Sequence, residues 1–220
     1  MSLLLLVRHG QASWGADDYD RLSSRGEEQS RRLGAALAAR GVRPDLVLRG
    51  SMLRHRQTAD AAVTGAGWDT DVEEDAGWDE FDHLGTVDGS APFEHVDGEP
   101  DEDRVRRFNG SIARWASGEH DGEYVESFPV FQARVGTAFA TAVERLGPRE
   151  TAVVFTSGGP VSWVAATLTD GGLPAWARLS RVVVNSSVTK VLTGRGGTNL
   201  ITFNDHGHLE GGADELLTYR

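Results

Sequence analysis

No cysteine occurs in this 220-residue chain, so disulfides and thiolate metal sites are excluded and redox chemistry leaves the compartment undecided. Basic charge is also scarce. The chain carries 22 Lys and Arg against 33 Asp and Glu, a formal net charge of −11. A nucleic-acid binder more often shows a basic excess or stripe, so nucleic acid is not an expected partner. The acidity serves solubility, and an anionic substrate would have to be drawn in by a local cluster of arginines. Long hydrophobic runs are missing too. The apolar start, Leu3 to Val7, spans five residues, too short for a signal peptide or a membrane span, and no basic leader precedes it. The cytoplasm is the expected location, with no membrane partner. There is no internal repeat and no low-complexity tail. What remains is ordinary for a globular protein, 39% hydrophobic and 25% charged, and long enough for one sizeable α/β domain with an insertion.

The stretch Leu3-Leu4-Leu5-Leu6-Val7-Arg8-His9-Gly10-Gln11 organises the rest. Its apolar run suits a strand buried on both faces, as in a parallel sheet covered by helices. It ends abruptly in a cation, an imidazole and a glycine. In open α/β sheets the carboxyl ends of strands are where ligands bind. Histidine can act as a nucleophile, arginine holds anions through a planar fork of donors, and glycine permits close approach. Alone, an Arg-His-Gly after a strand is a weak signal. A second cluster, Gly50-Ser51-Met52-Leu53-Arg54-His55-Arg56-Gln57-Thr58-Ala59, follows another short apolar run at Leu46-Val47-Leu48 and strengthens it.

Ser13 to Asp20 reads as a loop broken by Gly15. Ser23 or Ser24 reads as a helix N-cap, with Glu27 and Glu28 in the first turn and Leu33, Ala36 and Leu37 on one face. Gly41 ends that helix and Pro44 follows. Asp45 to Arg49 reads as a strand. Ser51 is expected to cap a helix running to about Val63, with Arg54 on its first turn, where backbone donors also point at a bound anion. From Gly65 to Tyr124 the chain is rich in Asp, Glu, Gly and Trp, with one helix expected over Arg104 to Trp115. The region reads either as an inserted cap over the sheet edge or as a plain surface excursion. Ser127 begins another helix, with Val130, Phe131, Val135, Phe139 and Val143 expected in the core. Thr151 to Thr156 reads as a buried strand ending in Ser157-Gly158-Gly159-Pro160, and Val161 to Leu168 as a helix. Arg181 to Leu192 and Thr198 to Phe203 read as a hairpin around Gly194-Arg195-Gly196-Gly197.

Three stretches in order, Arg8-His9-Gly10-Gln11, then Leu22-Ser23-Ser24-Arg25-Gly26-Glu27-Glu28-Gln29, then Arg54-His55-Arg56-Gln57-Thr58-Ala59, resemble the histidine phosphatase superfamily, which includes phosphoglycerate mutases and many small phosphatases. The resemblance covers most of the chain around a variable middle. It implies a single domain over residues 1–220: a three-layer α/β/α sandwich with a mostly parallel central sheet and a cap inserted at about 65–124. It implies that His9 attacks a phosphoryl group and forms a phosphohistidine, which water then hydrolyses. Arg8 and Arg54 would hold the equatorial oxygens. A glutamate would protonate the leaving group. Glu80, in Trp78-Asp79-Glu80-Phe81-Asp82-His83, fits best, because partial burial between Trp78 and Phe81 would help it hold a proton. Glu73 and Glu74 compete, Glu73 standing at similar spacing before Gly77.

The sequence also departs from the family pattern. Where relatives carry His-Gly-Gly after the third strand, this chain has Ser157-Gly158-Gly159. Ser157 can donate one hydrogen bond and Gly158 still offers backbone donors, but the second imidazole is missing. Ala12 stands where a small hydroxyl residue is usual, and Gly50 where a serine is. Arg56 and His55, on other faces of the helix than Arg54, are expected at the surface. His206 or His208 could supply the missing imidazole if the final strand returns near the site. A metal site from that pair lacks a third ligand nearby, so no metal and no cofactor is expected. Asn185-Ser186-Ser187 reads as structural. The favoured function is a phosphatase acting on a small phosphomonoester. A mutase comes second, and a pseudo-enzyme that binds phosphorylated ligands without turnover comes third. Substrate identity and pairing into a homodimer are left open by the sequence.

Overall fold

The apolar run that opens the chain forms β1 (Ser2–Arg8). It pairs in parallel with β4 (Thr151–Thr156) and antiparallel with β5 (Val188–Gly194). Flanked on both edges, its residues Leu4 to Val7 are buried on both faces. The computed structural model describes residues 1–13, 20–82, 85–86, 100–210 and 216–219. The expected loop therefore lies outside the described residues at 14–19, as do parts of the expected cap. Among those described, six strands form one sheet in the order β3-β2-β4-β1-β5-β6, with β2 at Leu46–Arg49, β3 at Glu73–Glu74 and β6 at Gly197–Asp205. The first four run parallel, and β5 and β6 form an antiparallel hairpin at one edge. The expected mostly parallel α/β sheet is what the chain forms.

Six helices accompany the sheet among the described residues: α1 (Ser24–Ala39), α2 (Leu53–Ala66), α3 (Asp101–Ala116), α4 (Phe128–Glu144), α5 (Gly158–Leu168) and α6 (Gly172–Leu179). Ser23 caps α1 by accepting from the Gly26 N–H at 3.1 Å. Leu33 and Leu37 of α1, with Ala59 and Ala62 of α2, close over Leu5, Val7, Val47, Val153 and Phe155. The pleat turns Leu4, Leu6, Leu48, Ala152 and Val154 to the opposite face, and these too are buried. Both faces of the sheet's centre, along β1, β2 and β4, are therefore dry, while the edge strands β3 and β6 are partly exposed.

The contacts divide the chain into two compact units, one of residues 1–80 and 135–220, the other Phe81–Arg134. In the second, Phe81 stacks on Trp115 at 4.8 Å between ring centroids, with Phe128 and Phe131 against the same indole. Trp115 donates through Nε1 to the Glu126 carbonyl at 2.6 Å, and the Glu126 carboxylate holds Arg134.

Four local expectations are corrected. Val130 is 53% exposed, because the inward stripe of α4 is Phe131, Val135, Ala138 and Ala142. Residues 181–187 form turns rather than the start of a strand, and β5 begins only at Val188. Met52, not Ser51, takes the N-cap position of α2, since the Ser51 hydroxyl is committed to Asp79 at 2.5 Å. Finally, α6 had no counterpart in the sequence reading. Its short amphipathic run is anchored by Trp176, which is buried and donates through Nε1 to the Gly159 carbonyl.

Candidate active site

Where β1 runs out, the backbone of His9 is held from three sides. Its N–H donates to the Thr156 carbonyl at 2.8 Å, and its carbonyl accepts from Ser186 N–H at 3.1 Å and Asn185 Nδ2 at 3.2 Å. The Asn185-Ser186-Ser187 stretch thus serves as a clamp on the histidine's backbone. Gly10 follows, its N–H bound to Thr58 Oγ1 at 3.0 Å. A Cβ there would fall 2.4 Å from the Gly26 carbonyl oxygen, so only glycine lets the chain turn so close to α1.

The side chain of His9 is set in one tautomer. Nδ1 lies 2.6 Å from the Gly10 carbonyl oxygen. A carbonyl can only accept, so Nδ1 carries the proton and Nε2 is left with its lone pair. Burial, then the guanidiniums of Arg54 and Arg8, then His55, hold the imidazole's pKa well below the ordinary histidine value. At neutral pH the ring is therefore a neutral base with an open nitrogen.

Both arginines are built in by neighbouring groups. Arg8, the last residue of β1, donates through Nη1 to the carbonyls of Val183 and Tyr219. Arg54 is buried on the first turn of α2, and its Nη1 donates to Asp20 Oδ1 at 2.7 Å. The other oxygen of Asp20 accepts from Leu53 N–H at 2.7 Å, doing for α2 the capping expected of Ser51.

His55 is the residue that sequence reasoning missed. It was expected at the surface with Arg56. Arg56 is exposed, but His55 is 0% exposed. Its ring centroid lies 5.8 Å from that of His9, and its Nε2 lies 2.7 Å from Ser157 Oγ. Nδ1 faces Asp79 Oδ1 at 3.6 Å, beyond hydrogen-bond length. Asp79 is itself fixed by Ser51, whose N–H donates to Oδ1 at 2.6 Å and whose hydroxyl donates to Oδ2. Burial lowers the His55 pKa; Asp79 pulls it up and Arg54 down, leaving it below the ordinary value. The position of His55 explains Gly50. A Cβ there would sit 2.2 Å from His55 Nδ1 and 2.6 Å from Asp79 Oδ1. The bare glycine and the buried histidine are one packing solution. The available signal was Gly50, standing where relatives carry a serine, five residues before His55 in one motif.

Ser157 and Gly158 lie at the turn between β4 and α5, beside the end of β1, since Arg8 is paired with Thr156. Both are buried. Glu80 reaches the same turn: Gly159 N–H donates to its Oε1 at 3.1 Å and Oε2 at 3.3 Å. Its carboxylate thus sits on the first turn of a helix, two residues from Ser157. Glu73 is elsewhere. It lies on β3, exposed, and accepts from Arg145 at 2.8 Å, a bond that holds its carboxyl below the usual range. Glu74, on the same strand, pairs with Arg49 at 2.8 Å. The structure therefore gathers Arg8, His9, Arg54, Ser157, Gly158 and Glu80 around the ends of β1 and β4, with His55 added.

The late histidines are occupied elsewhere. His206 Nδ1 donates to the Asn204 carbonyl at 2.7 Å, and His208 Nε2 lies 3.0 Å from Ser186 Oγ. Burial lowers His208 from 6.5 to about 4, against the pull of Asp205. Between those values the unfolded chain binds a proton that the native chain refuses, so stability falls as pH drops through this window. For His208 the loss is at most about 3 kcal/mol at the acid end. His9 and His55 act with the same sign. Urea midpoints of His208→Gln between pH 7 and pH 4 should therefore decline less steeply than wild type, and equal slopes would contradict the assignment.

A neutral imidazole beside two guanidiniums, at the carboxyl edge of a parallel sheet, is an arrangement suited to binding an anion. Comparison with known proteins gives the family. The chain belongs to the histidine phosphatase superfamily (branch 1), whose profile matches residues 4–206. Phosphoryl hydrolysis or transfer is the class of activity that this membership brings. The chain is 43% identical over 74 residues to a 2,3-bisphosphoglycerate-dependent phosphoglycerate mutase of Thermobifida fusca, a match spanning 30% of either protein. In fold it resembles YhfR of Bacillus stearothermophilus, with a TM-score of 0.69, 21% identity, and 96% of this chain and 100% of that one covered. It also resembles a mycobacterial glucosyl-3-phosphoglycerate phosphatase, with a TM-score of 0.65, 21% identity, and 92% and 98% covered. Among the described residues no helix is long and apolar enough to cross a membrane.

Proposed function

We propose that this chain is a phosphatase that hydrolyses a small phosphomonoester in the cytoplasm through a phosphohistidine on His9. The observation that carries the reading is the 2.6 Å bond from His9 Nδ1 to the Gly10 carbonyl, which leaves Nε2 unprotonated beside Arg8 and Arg54. Nε2 attacks phosphorus, and the ester oxygen leaves with a proton from Glu80. Water then attacks the phosphohistidine, giving its proton to the Glu80 carboxylate. Inorganic phosphate departs, and Nε2 regains its lone pair. Arg8, Arg54, Ser157 and the Gly158 backbone hold the phosphoryl oxygens throughout, and charge stabilisation is the larger part of the catalysis. The cycle uses no cofactor.

The partial match to a phosphoglycerate mutase favours a second reading, transfer between two positions of one substrate. A panel of p-nitrophenyl phosphate, sugar phosphates and phosphoglycerates separates the two. Release of inorganic phosphate is the expected result. Interconversion of phosphoglycerates without release would favour the mutase, and tight binding of all with no turnover of any would overturn both.

A further inference from the structure

Ser157 offers a phosphoryl group one neutral hydroxyl, and that hydroxyl is already spoken for. Its oxygen lies 2.7 Å from His55 Nε2. The serine has a single proton to give. If Nε2 is unprotonated, the hydroxyl donates to the ring and turns lone pairs toward any neighbouring anion. If Nε2 carries a proton, the ring donates to the serine oxygen, and the hydroxyl proton is released to the anion.

The groups on the Nδ1 side of His55 suit the second state once an anion is present. The ring is fully buried, 5.8 Å from the His9 ring between centroids. Its Nδ1 is buried, makes no hydrogen bond and faces the Asp79 carboxylate at 3.6 Å, which Ser51 holds in place through two bonds. Gly50 leaves out the Cβ that would collide with that nitrogen. A buried imidazole on a carboxylate, at the cost of a side chain at position 50, is more than core filling requires. An alanine would satisfy the helix better.

We infer that His55 and Ser157 act as one phosphate-binding relay, in which an imidazolium held by Asp79 donates to Ser157 Oγ and the serine hydroxyl donates to the phosphoryl oxygen. His55 is thus a positioning residue that brings positive charge to the phosphate without touching it. The inference deepens the phosphatase reading and rests on His9 being the phosphoryl acceptor site. The proton comes from solvent as the anion binds, and is returned when it leaves. Burial opposes this proton most, and Arg54 adds to the opposition, while Asp79 and Asp20 favour it. The incoming anion tips the balance.

The test is calorimetric titration with inorganic phosphate, which needs no turnover. His55→Ala and Ser157→Ala should each weaken phosphate about tenfold, the difference between a charge-assisted and a neutral hydrogen bond. The double variant should be no weaker than either single one, because both break the same relay. Wild type should take up more protons per phosphate than His55→Ala when titrated in buffers of different ionisation enthalpy. Ser157→His alone should lower Tm and bind poorly, since the His55 ring fills the space. Joined to His55→Ala, it should regain phosphate affinity to within about threefold of wild type. His55→Gln, which keeps a donor without a charge, covers the case in which His55→Ala does not fold: it should bind more weakly than wild type and show no extra proton uptake. Unchanged affinity in Ser157→Ala, additive losses in the double variant, or equal proton uptake in wild type and His55→Gln would each overturn the relay. Phosphate binding through the relay in a chain that turns over no ester would sink the phosphatase reading and leave this one standing.

Discussion

Replacing His9 by alanine is expected to lower turnover of any phosphomonoester by on the order of 10⁴–10⁶, the scale on which covalent catalysts lose rate when the nucleophile is removed. The fold should survive. The backbone bonds of His9 to Thr156, Ser186 and Asn185 do not use the side chain. What is lost is one buried imidazole that the native state already holds neutral, and one hydrogen bond between neighbouring residues. A Tm within about 5 °C of wild type is therefore expected. Activity above a few per cent of wild type in a folded His9→Ala would place the chemistry on another group. The same environment fixes the pH behaviour. Because burial and two guanidiniums hold the imidazole below its ordinary range, protonation of the nucleophile should not cut kcat/KM near pH 6.5 but only well below it.

The second large effect concerns Glu80. Glu80→Gln keeps the size of the side chain and an oxygen to accept from Gly159 N–H, but removes the group that can carry a proton to the leaving oxygen. General acids contribute typically about 10²–10⁴-fold, and only where the leaving group is poor. The expected result is a loss of this size on alkyl phosphates and a much smaller one on p-nitrophenyl phosphate, whose leaving group departs without help. Equal losses on both would remove Glu80 from the acid's role. Glu73 would not simply inherit it, because its carboxylate is bound to Arg145 on the exposed edge strand.

The centre of the sheet was legible because its strands are short, mostly apolar and sharply ended, whereas the edge strand β3, two exposed glutamates, carries no apolar residue to read. Leu3 to Val7 and Thr151 to Thr156 sit in the middle of the sheet with both faces covered, so continuous hydrophobicity and burial coincide. Ser23 could be read because its cap uses a local rule, a hydroxyl three residues before the N–H it accepts. Ser51 obeyed the same local rule in sequence but not in space, because Asp79, 28 positions later, offered its hydroxyl a stronger partner. His55 failed for a related reason. Helical spacing says that it and Arg54 point differently, but not which direction is buried. Along α2 the small residues Thr58, Ala59 and Ala62 let two faces be covered at once. Only the distant Ser157 and Asp79 reveal what the second face holds. The helix α6 was missed because eight residues give too few turns for a periodic signal.

The most direct test of the account is to quench the wild-type enzyme under acid-sparing conditions within milliseconds of mixing with a phosphomonoester, digest it, and locate the phosphorylated residue by mass spectrometry. An acid-labile phosphate is expected on the peptide containing His9, attached at Nε2, appearing before inorganic phosphate and absent from His9→Ala. Phosphate on another residue, or steady turnover with no covalent phosphate at any time, would contradict it.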